Sequence, residues 1–163
     1  MAGTARFVRL ATIGILSLLP LAALLALDAR SAGKQPLRFS DPQAQAAEFI
    51  GYSRTIRLTP GQREIWEAAL GSMPSPCCTD FRLSTCCCPC NLAKSSWGLA
   101  NFLIARRGAS AAQVQEGVRS WITFVNPSGF SGDVCVSSGG CGRKFAHDGC
   151  GGMDEADLHA AHR

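Results

Sequence analysis

The chain has 163 residues, a formal net charge of +4 and nine cysteines. The length predicts one domain with appendages, because the roughly 130 residues after an apolar N-terminal segment can bury one modest helical core but not two. The basic residues are scattered and form neither a stripe nor a stacking platform, which argues against nucleic-acid binding. No catalytic triad, paired-carboxylate motif, phosphate loop or nucleotide fingerprint is visible.

Residues 1–32 are typical of a signal peptide or a membrane anchor. Arg6 and Arg9 form a short positive start, and the run from Leu10 to Leu27 is almost entirely apolar. That run is also long enough to span a bilayer if it is not cleaved, so both interpretations stay open. Either one places the cysteines in the periplasm or another extracytoplasmic compartment. Residues 33–40 are polar and basic and predict a linker.

Residues 41–127 are predicted to form a mainly α, small helical domain. Asp41-Pro42 and Thr59-Pro60 each combine a capping side chain with a proline in the first turn, which is a strong helix start. Further along, Asn91 is predicted to cap a third helix, and a Ser-Ala-Ala-Gln capping box opens a fourth. The four predicted helices span 43–52, 61–70, 92–107 and 111–125. The last two are expected to form a helix hairpin behind a cysteine cluster.

Six of the nine cysteines form that cluster, and they stand close together just before the hairpin. They are Cys77, Cys78, Cys86, Cys87, Cys88 and Cys90. Neighbouring cysteines make poor staples, because a disulfide needs a particular Cα separation and torsion. They do concentrate sulfur in one small volume, as a soft-metal site or a dithiol exchange centre does.

The position before a helix favours the thiolate form of these cysteines, since a helix N-terminus presents unpaired N–H groups and a positive dipole end. Cys87 and Cys90 have the Cys-x-x-Cys spacing of dithiol oxidoreductases and of zinc half-sites. Cys88 and Cys90 are an alternative two-thiolate clamp. Zn(II) takes four ligands, whereas Cu(I) accepts two or three thiolates. The excess of sulfur favours Cu(I) or another thiophilic metal, with Zn(II) second.

The tail, residues 128–163, is predicted to be an irregular Gly/Cys-rich segment that needs a bridge, a metal or docking onto the helices to become ordered. It carries a second set of candidate metal ligands: Cys135, Cys141, His147, Cys150 and Met153. A disulfide from Cys141 to Cys135 or to Cys150 is an equally good interpretation. The stretch 154–163 is predicted to be a short, frayed helix, and its histidines, His159 and His162, are weak ligand candidates.

From Ile65 to Pro127 the chain resembles the exported bacterial proteins named for their Pro-Cys-Tyr-Cys-Gly-Cys motif. The shared features are an Ala-rich helix ending at Met73-Pro74, a cysteine cluster, and two helices joined by a Gly-x-Ser turn. The resemblance implies a metal-associated, membrane-tethered protein. The same hairpin also resembles, more weakly, the thiol oxidoreductases of cytochrome c maturation, and that likeness implies that Cys87 and Cys90 are an active pair.

The sequence therefore predicts an exported protein that binds copper or zinc for sequestration, delivery or sensing. Its expected partners are the metal ion and a membrane or exported metalloprotein. One alternative is a thiol-disulfide oxidoreductase, in which the cysteine cluster is an active site. The other is a disulfide-stapled structural or partner-binding module.

Overall fold

A computed structural model of the chain describes residues 36–76, 78–86, 89–129, 145 and 152–159. The chain divides into two units, residues 1–34 and 35–163, and every described residue belongs to the second unit. The predicted signal or anchor therefore lies outside the described residues. Within the described ranges, no helix has the length and apolar character needed to cross a membrane.

The described part is mainly helical, which confirms the predicted fold class. Its four long helices are α1 Pro42–Thr55, α2 Pro60–Leu70, α3 Asn91–Arg107 and α4 Ala111–Val125. The Asp41 carboxylate accepts hydrogen bonds of 2.9 Å from the N–H groups of Gln43 and Ala44. Reciprocal capping boxes open α2 and α4, and Gly108 ends α3 in the left-handed conformation. The predicted helix bounds agree closely because these local signals fix the ends.

The start of α3 differs from the prediction. Cys90 is the N-cap residue, in an extended backbone conformation, and Asn91 is the first residue of the helix. Asn91 is 1% exposed, and its side-chain amide donates to the carbonyl oxygen of Asp154 at 3.1 Å. Asn91 was therefore wrongly predicted as the cap, because a tertiary contact with the tail uses its amide.

A short antiparallel hairpin, absent from the sequence-based prediction, lies between α2 and α3. Strand β1 is Pro74–Ser75 and strand β2 is Cys78–Arg82, and Pro74 pairs with Arg82. A 3-10 turn, Leu83–Thr85, follows β2. The N–H of Leu83 donates to the carbonyl of Met73 at 2.9 Å, and both side chains are buried. The residues that flank the hairpin thus pack into the same core as the helices.

The core is centred on Trp121 of α4, whose side chain is fully buried. Phe49 of α1 packs edge-on to the Trp121 ring, with a centroid separation of 5.0 Å. Phe39, in the stretch predicted to be a linker, packs against Trp121 at 5.3 Å. The Trp121 indole N–H donates to the hydroxyl of Ser95 at 3.0 Å, so its one polar atom is satisfied inside the core.

The described residues of the tail dock onto the helices, which is one of the three routes to order that the sequence predicted. Phe145 is buried, and its ring lies 6.2 Å from that of Trp121. A four-residue helix, α5 Ala156–His159, buries Leu158. His162, within the predicted helix 154–163, lies outside the described residues.

Candidate functional site

The described part of the cysteine cluster lies where the 3-10 turn leads into α3. Cys86 directly follows the turn and is partly buried, and Cys90 at the N-cap is 2% exposed. The backbone of Cys78 belongs to β2. Cys77, Cys87 and Cys88 lie outside the described residues. The structure therefore places the predicted site residue Cys90 at the start of α3 and the predicted site residue Cys86 at the end of the 3-10 turn before it.

A hydrogen bond from Trp97 fixes the segment that enters the cluster. The Trp97 indole N–H donates to the carbonyl of Leu83 at 2.7 Å, which ties the 3-10 turn to the second turn of α3. The sequence placed Trp97 in the core; its partly buried ring packs against the core, and its N–H also holds the turn. The segment from Leu83 to Cys90 is thus anchored at both ends by α3.

The tail meets the cluster at the N-terminus of α3. The backbone N–H of Asn91 donates to the carbonyl of Gly152 at 2.9 Å, and the Asn91 amide binds the carbonyl of Asp154. Met153 stands between these two contacts in the chain, and its side chain is 45% exposed. One predicted ligand of the tail therefore lies on a segment bound directly beside Cys90.

Glu155 strengthens this junction through two ion pairs. Its carboxylate binds Lys94 of α3 at 2.7 Å and also binds Arg54 of α1. Burial acts to raise the pKa of Glu155, but the hydrogen bonds and charges of Lys94 and Arg54 outweigh it and hold the pKa below its ordinary value of 4.5. At neutral pH the ionised Glu155 therefore clamps the tail to two helices.

The electrostatics of the α3 N-terminus favour an anion. The first turn of α3, residues 91–94, is described in full and contains no acidic residue, and the charge of Lys94 is balanced by its ion pair with Glu155. The helix dipole favours an anion at this end. A thiolate, or a thiolate bound to a metal ion, is therefore an electrostatically matched occupant.

The described residues alone do not form a complete metal centre. Among them, no three His, Cys, Asp or Glu side chains stand close enough to hold an ion. Predicted ligands whose side chains lie outside the described set are Cys77, Cys78, Cys87, Cys88, Cys135, Cys141, His147 and Cys150. Two thiolates satisfy Cu(I), whereas tetrahedral Zn(II) needs further ligands. The described residues contribute two candidate thiols to such a site, Cys86 and Cys90.

A pocket that the sequence did not predict lies between α1, α2 and α3. It is a pocket of about 250 Å³ lined by Ser53, Arg63, Trp66, Ser84, Trp97 and Asn101. These residues come from separate elements, and no local motif connects them. Sequence patterning assigned Trp66 and Trp97 to the core. Trp66 is buried there and Trp97 is partly buried against it, but the patterning gives no sign of the pocket.

No family model, curated protein or solved structure matches this chain. The two resemblances drawn from the cysteine cluster and the helix hairpin therefore stay predictions.

Proposed function

We propose that this protein binds a soft transition-metal ion, Cu(I) in preference to Zn(II), through thiolates gathered at the N-terminus of α3. The observation that carries the proposal is the contact of Asn91 with Gly152 and Asp154, which joins the cysteine cluster to the Met153 segment. The segment that carries one candidate soft ligand of the tail, Met153, thus lies next to the cysteine cluster at one helix end. Such a meeting point suits a site built from both parts.

Burial and charge at this helix end support the proposal. Cys90 is removed from water, which excludes competing aqueous ligands, and the helix N-terminus offsets negative charge on sulfur. Cys86 is only partly buried, so an ion held there remains open to exchange with a partner. These properties fit sequestration, delivery or sensing of the metal, with an exported or membrane metalloprotein as the partner.

The test is the Cu(I) content and affinity of the anaerobically purified, reduced chain, measured by competition with a chromophoric Cu(I) chelator. We expect one tightly held ion, lost in the Cys87→Ser/Cys90→Ser double variant because serine is a poor ligand for soft ions. Ser120→Ala/Thr123→Ala is the control double variant, since both positions are exposed on α4 and neither is a candidate ligand. Undiminished binding in the cysteine double variant would move the site to Cys77 and Cys78 or to the tail.

A thiol-disulfide oxidoreductase is the second candidate, and the burial of Cys90 favours it. In a Cys-x-x-Cys pair at a helix start, the more exposed first thiol attacks and the second resolves the mixed disulfide. Cys90, at 2% exposure on the helix cap, fits the resolving role, with Cys87 as the attacking thiol. A chain without metal that has one readily reduced bridge supports this function. Bridges that resist reduction support the stapled structural module instead.

A further inference from the structure

The described end of the tail, residues 152–159, lies against the start of α3, and we call it the tail strap. Asn91 binds two of its backbone carbonyls, because the Asn91 backbone N–H donates to Gly152 and the Asn91 side-chain amide donates to Asp154. Asn91 is 1% exposed, although asparagine is mostly found at the protein surface. The tail strap accounts for this burial, since it supplies both acceptors. It therefore closes over the first residue of α3.

Two ion pairs and one apolar side chain complete the attachment of the tail strap. Glu155 binds Lys94 of α3 at 2.7 Å and also binds Arg54 of α1. Leu158 is 1% exposed and belongs to the core, whereas Met153 is exposed. Leu158 is thus the only large apolar side chain that the strap buries among its described side chains. The attachment rests mainly on polar contacts.

Such an attachment favours local opening of the strap without unfolding of the long helices. Helix α5 has four residues, and a helix so short is not stable without tertiary contacts. The four long helices instead share the apolar core around Trp121. Segments that bury little apolar surface open at a lower free energy than the core does. The tail strap can therefore leave α3 while α1 to α4 remain folded.

Cys90 is the cysteine that this opening affects most. It is the N-cap residue of α3, directly before Asn91, and it is 2% exposed. A thiol that is buried in the folded chain is inert until it is exposed. We infer that the tail strap is a releasable cover that limits access to the Cys90 thiol. A second consequence rests on the proposed function: opening of the strap sets how fast an ion held by Cys90 passes to a partner.

The test measures the alkylation rate of Cys90 in the reduced, metal-free, full-length chain at neutral pH, read out by peptide mass spectrometry. Glu155→Gln removes both ion pairs and should speed alkylation about two- to fivefold, the effect expected of partly exposed ion pairs. Leu158→Ala removes the buried anchor and should speed it about tenfold or more. Glu116→Gln makes the same chemical change as Glu155→Gln at an exposed position of α4, and should react as the wild type does.

Two further measurements separate a cover from a general loss of stability. Salt screens ion pairs, so added sodium chloride should speed alkylation of Cys90 more in the wild type than in Glu155→Gln. Far-UV circular dichroism should show that the long helices persist in every variant under the alkylation conditions. The inference is overturned if Glu155→Gln and Leu158→Ala both react at the wild-type rate, or if Cys90 reacts only under conditions that unfold the long helices.

The consequence for a bound ion is tested by transfer of Cu(I) from the loaded chain to a chromophoric chelator. Glu155→Gln should release its ion about two- to fivefold faster than the wild type from the same initial content. Equal release rates would overturn the control of ion exchange by the strap. A chain that takes up no Cu(I) would refute the proposed function instead, and the alkylation of Cys90 would still decide whether the tail strap is a cover.

Discussion

The backbone N–H of Asn91 donates a 2.9 Å hydrogen bond to the carbonyl oxygen of Gly152. A helix N-terminus leaves its first N–H groups without partners inside the helix, and here a distant carbonyl fills one of those positions. The bond holds Gly152 of the tail next to Cys90. The proposed metal site therefore depends on the docking of the tail. The contacts that hold the tail are the first to test.

Replacing Glu155 with Gln should loosen the tail at neutral pH and remove part of the pH dependence of stability. The pKa of Glu155 is lowered in the folded chain, so its ion pairs contribute fully above the ordinary value of 4.5 and are lost as the pH falls through the lowered value. The pairs are partly exposed, so the expected loss at pH 7 is about 1 kcal/mol or less.

The measurement for Glu155→Gln is amide exchange of residues 152–158 together with chemical denaturation at pH 7 and pH 3. The variant and the wild type should differ at pH 7, and the difference should be smaller at pH 3. Asp80→Asn, an exposed carboxyl on β2, is the control for loss of one negative charge. A difference of equal size at both pH values would show that Glu155 does not act through its charge.

Gly98 and Gly51 should respond to alanine in opposite directions. A Cβ at Gly98 would lie 1.6 Å from the carbonyl oxygen of Phe49 and 2.9 Å from the backbone nitrogen of Ser53. These are backbone atoms of α1, so relief requires the two helices to separate. We expect Gly98→Ala to destabilise the fold by about 3 kcal/mol or more.

Gly51 is the matched control, because it lies within α1 and a Cβ there meets nothing within 4 Å. Gly51→Ala should stabilise the chain by about 0.5–1 kcal/mol through the helix propensity of alanine. Denaturant midpoints of the two variants decide the matter. Equal midpoints would mean that α1 and α3 do not cross closely at Gly98.

The helices were predictable because their end signals are local. The Thr59 and Ser110 capping boxes act within four residues, and the apolar spacing of α4 by itself indicates which face Val114, Val118 and Trp121 bury. The hairpin was not predictable in the same way. Pro74 lies in a strand of only two residues. Its pairing depends on the contact between the buried residues Met73 and Leu83.

The functional features were predictable only in part, since they depend on contacts between distant segments. The cysteine cluster is visible in the sequence, but the hydrogen bond between Asn91 and Gly152 is not. Phe145 is a single aromatic residue in a glycine-rich stretch, and nothing local indicates that it reaches Trp121. The pocket is formed in the same manner, because Trp66 and Asn101 line one space only after α2 and α3 pack.

Trp121→Ala should be among the most damaging core substitutions. The ring is fully buried and contacts aromatic residues from α1 and from the tail, so its removal leaves a cavity and is expected to cost about 3–5 kcal/mol. Trp121→Phe retains most of the ring but loses the donor to Ser95, and should cost clearly less. Denaturation followed by far-UV circular dichroism gives both values. A midpoint that barely moves in Trp121→Ala would contradict the described packing of the core.

The last prediction separates the two leading functions by their response to acid. Thiolate ligands must lose their protons to bind a metal ion, so the affinity of a metal site built on Cys86–Cys90 should fall as the pH drops. Release of the ion in mild acid should precede any loss of helix content, because the capping boxes of α2 and α4 contain no titratable side chain. Metal content and circular dichroism are measured on the same samples.

The matching experiment uses the reduced, metal-free chain and follows alkylation of each cysteine across pH by peptide mass spectrometry. An oxidoreductase needs one activated thiol, so Cys87 should react well below the free-thiol pKa of about 8.5, while Cys90 stays protected by burial. A metal site imposes no such ranking once its ion is removed, apart from the effect of access. If Cys87 alone reacts early and the purified chain holds no metal, the proposed metal-binding function fails and the oxidoreductase stands. If the cluster thiols react alike near the ordinary pKa and the chain is purified with its ion, the activated-nucleophile interpretation is the one that fails.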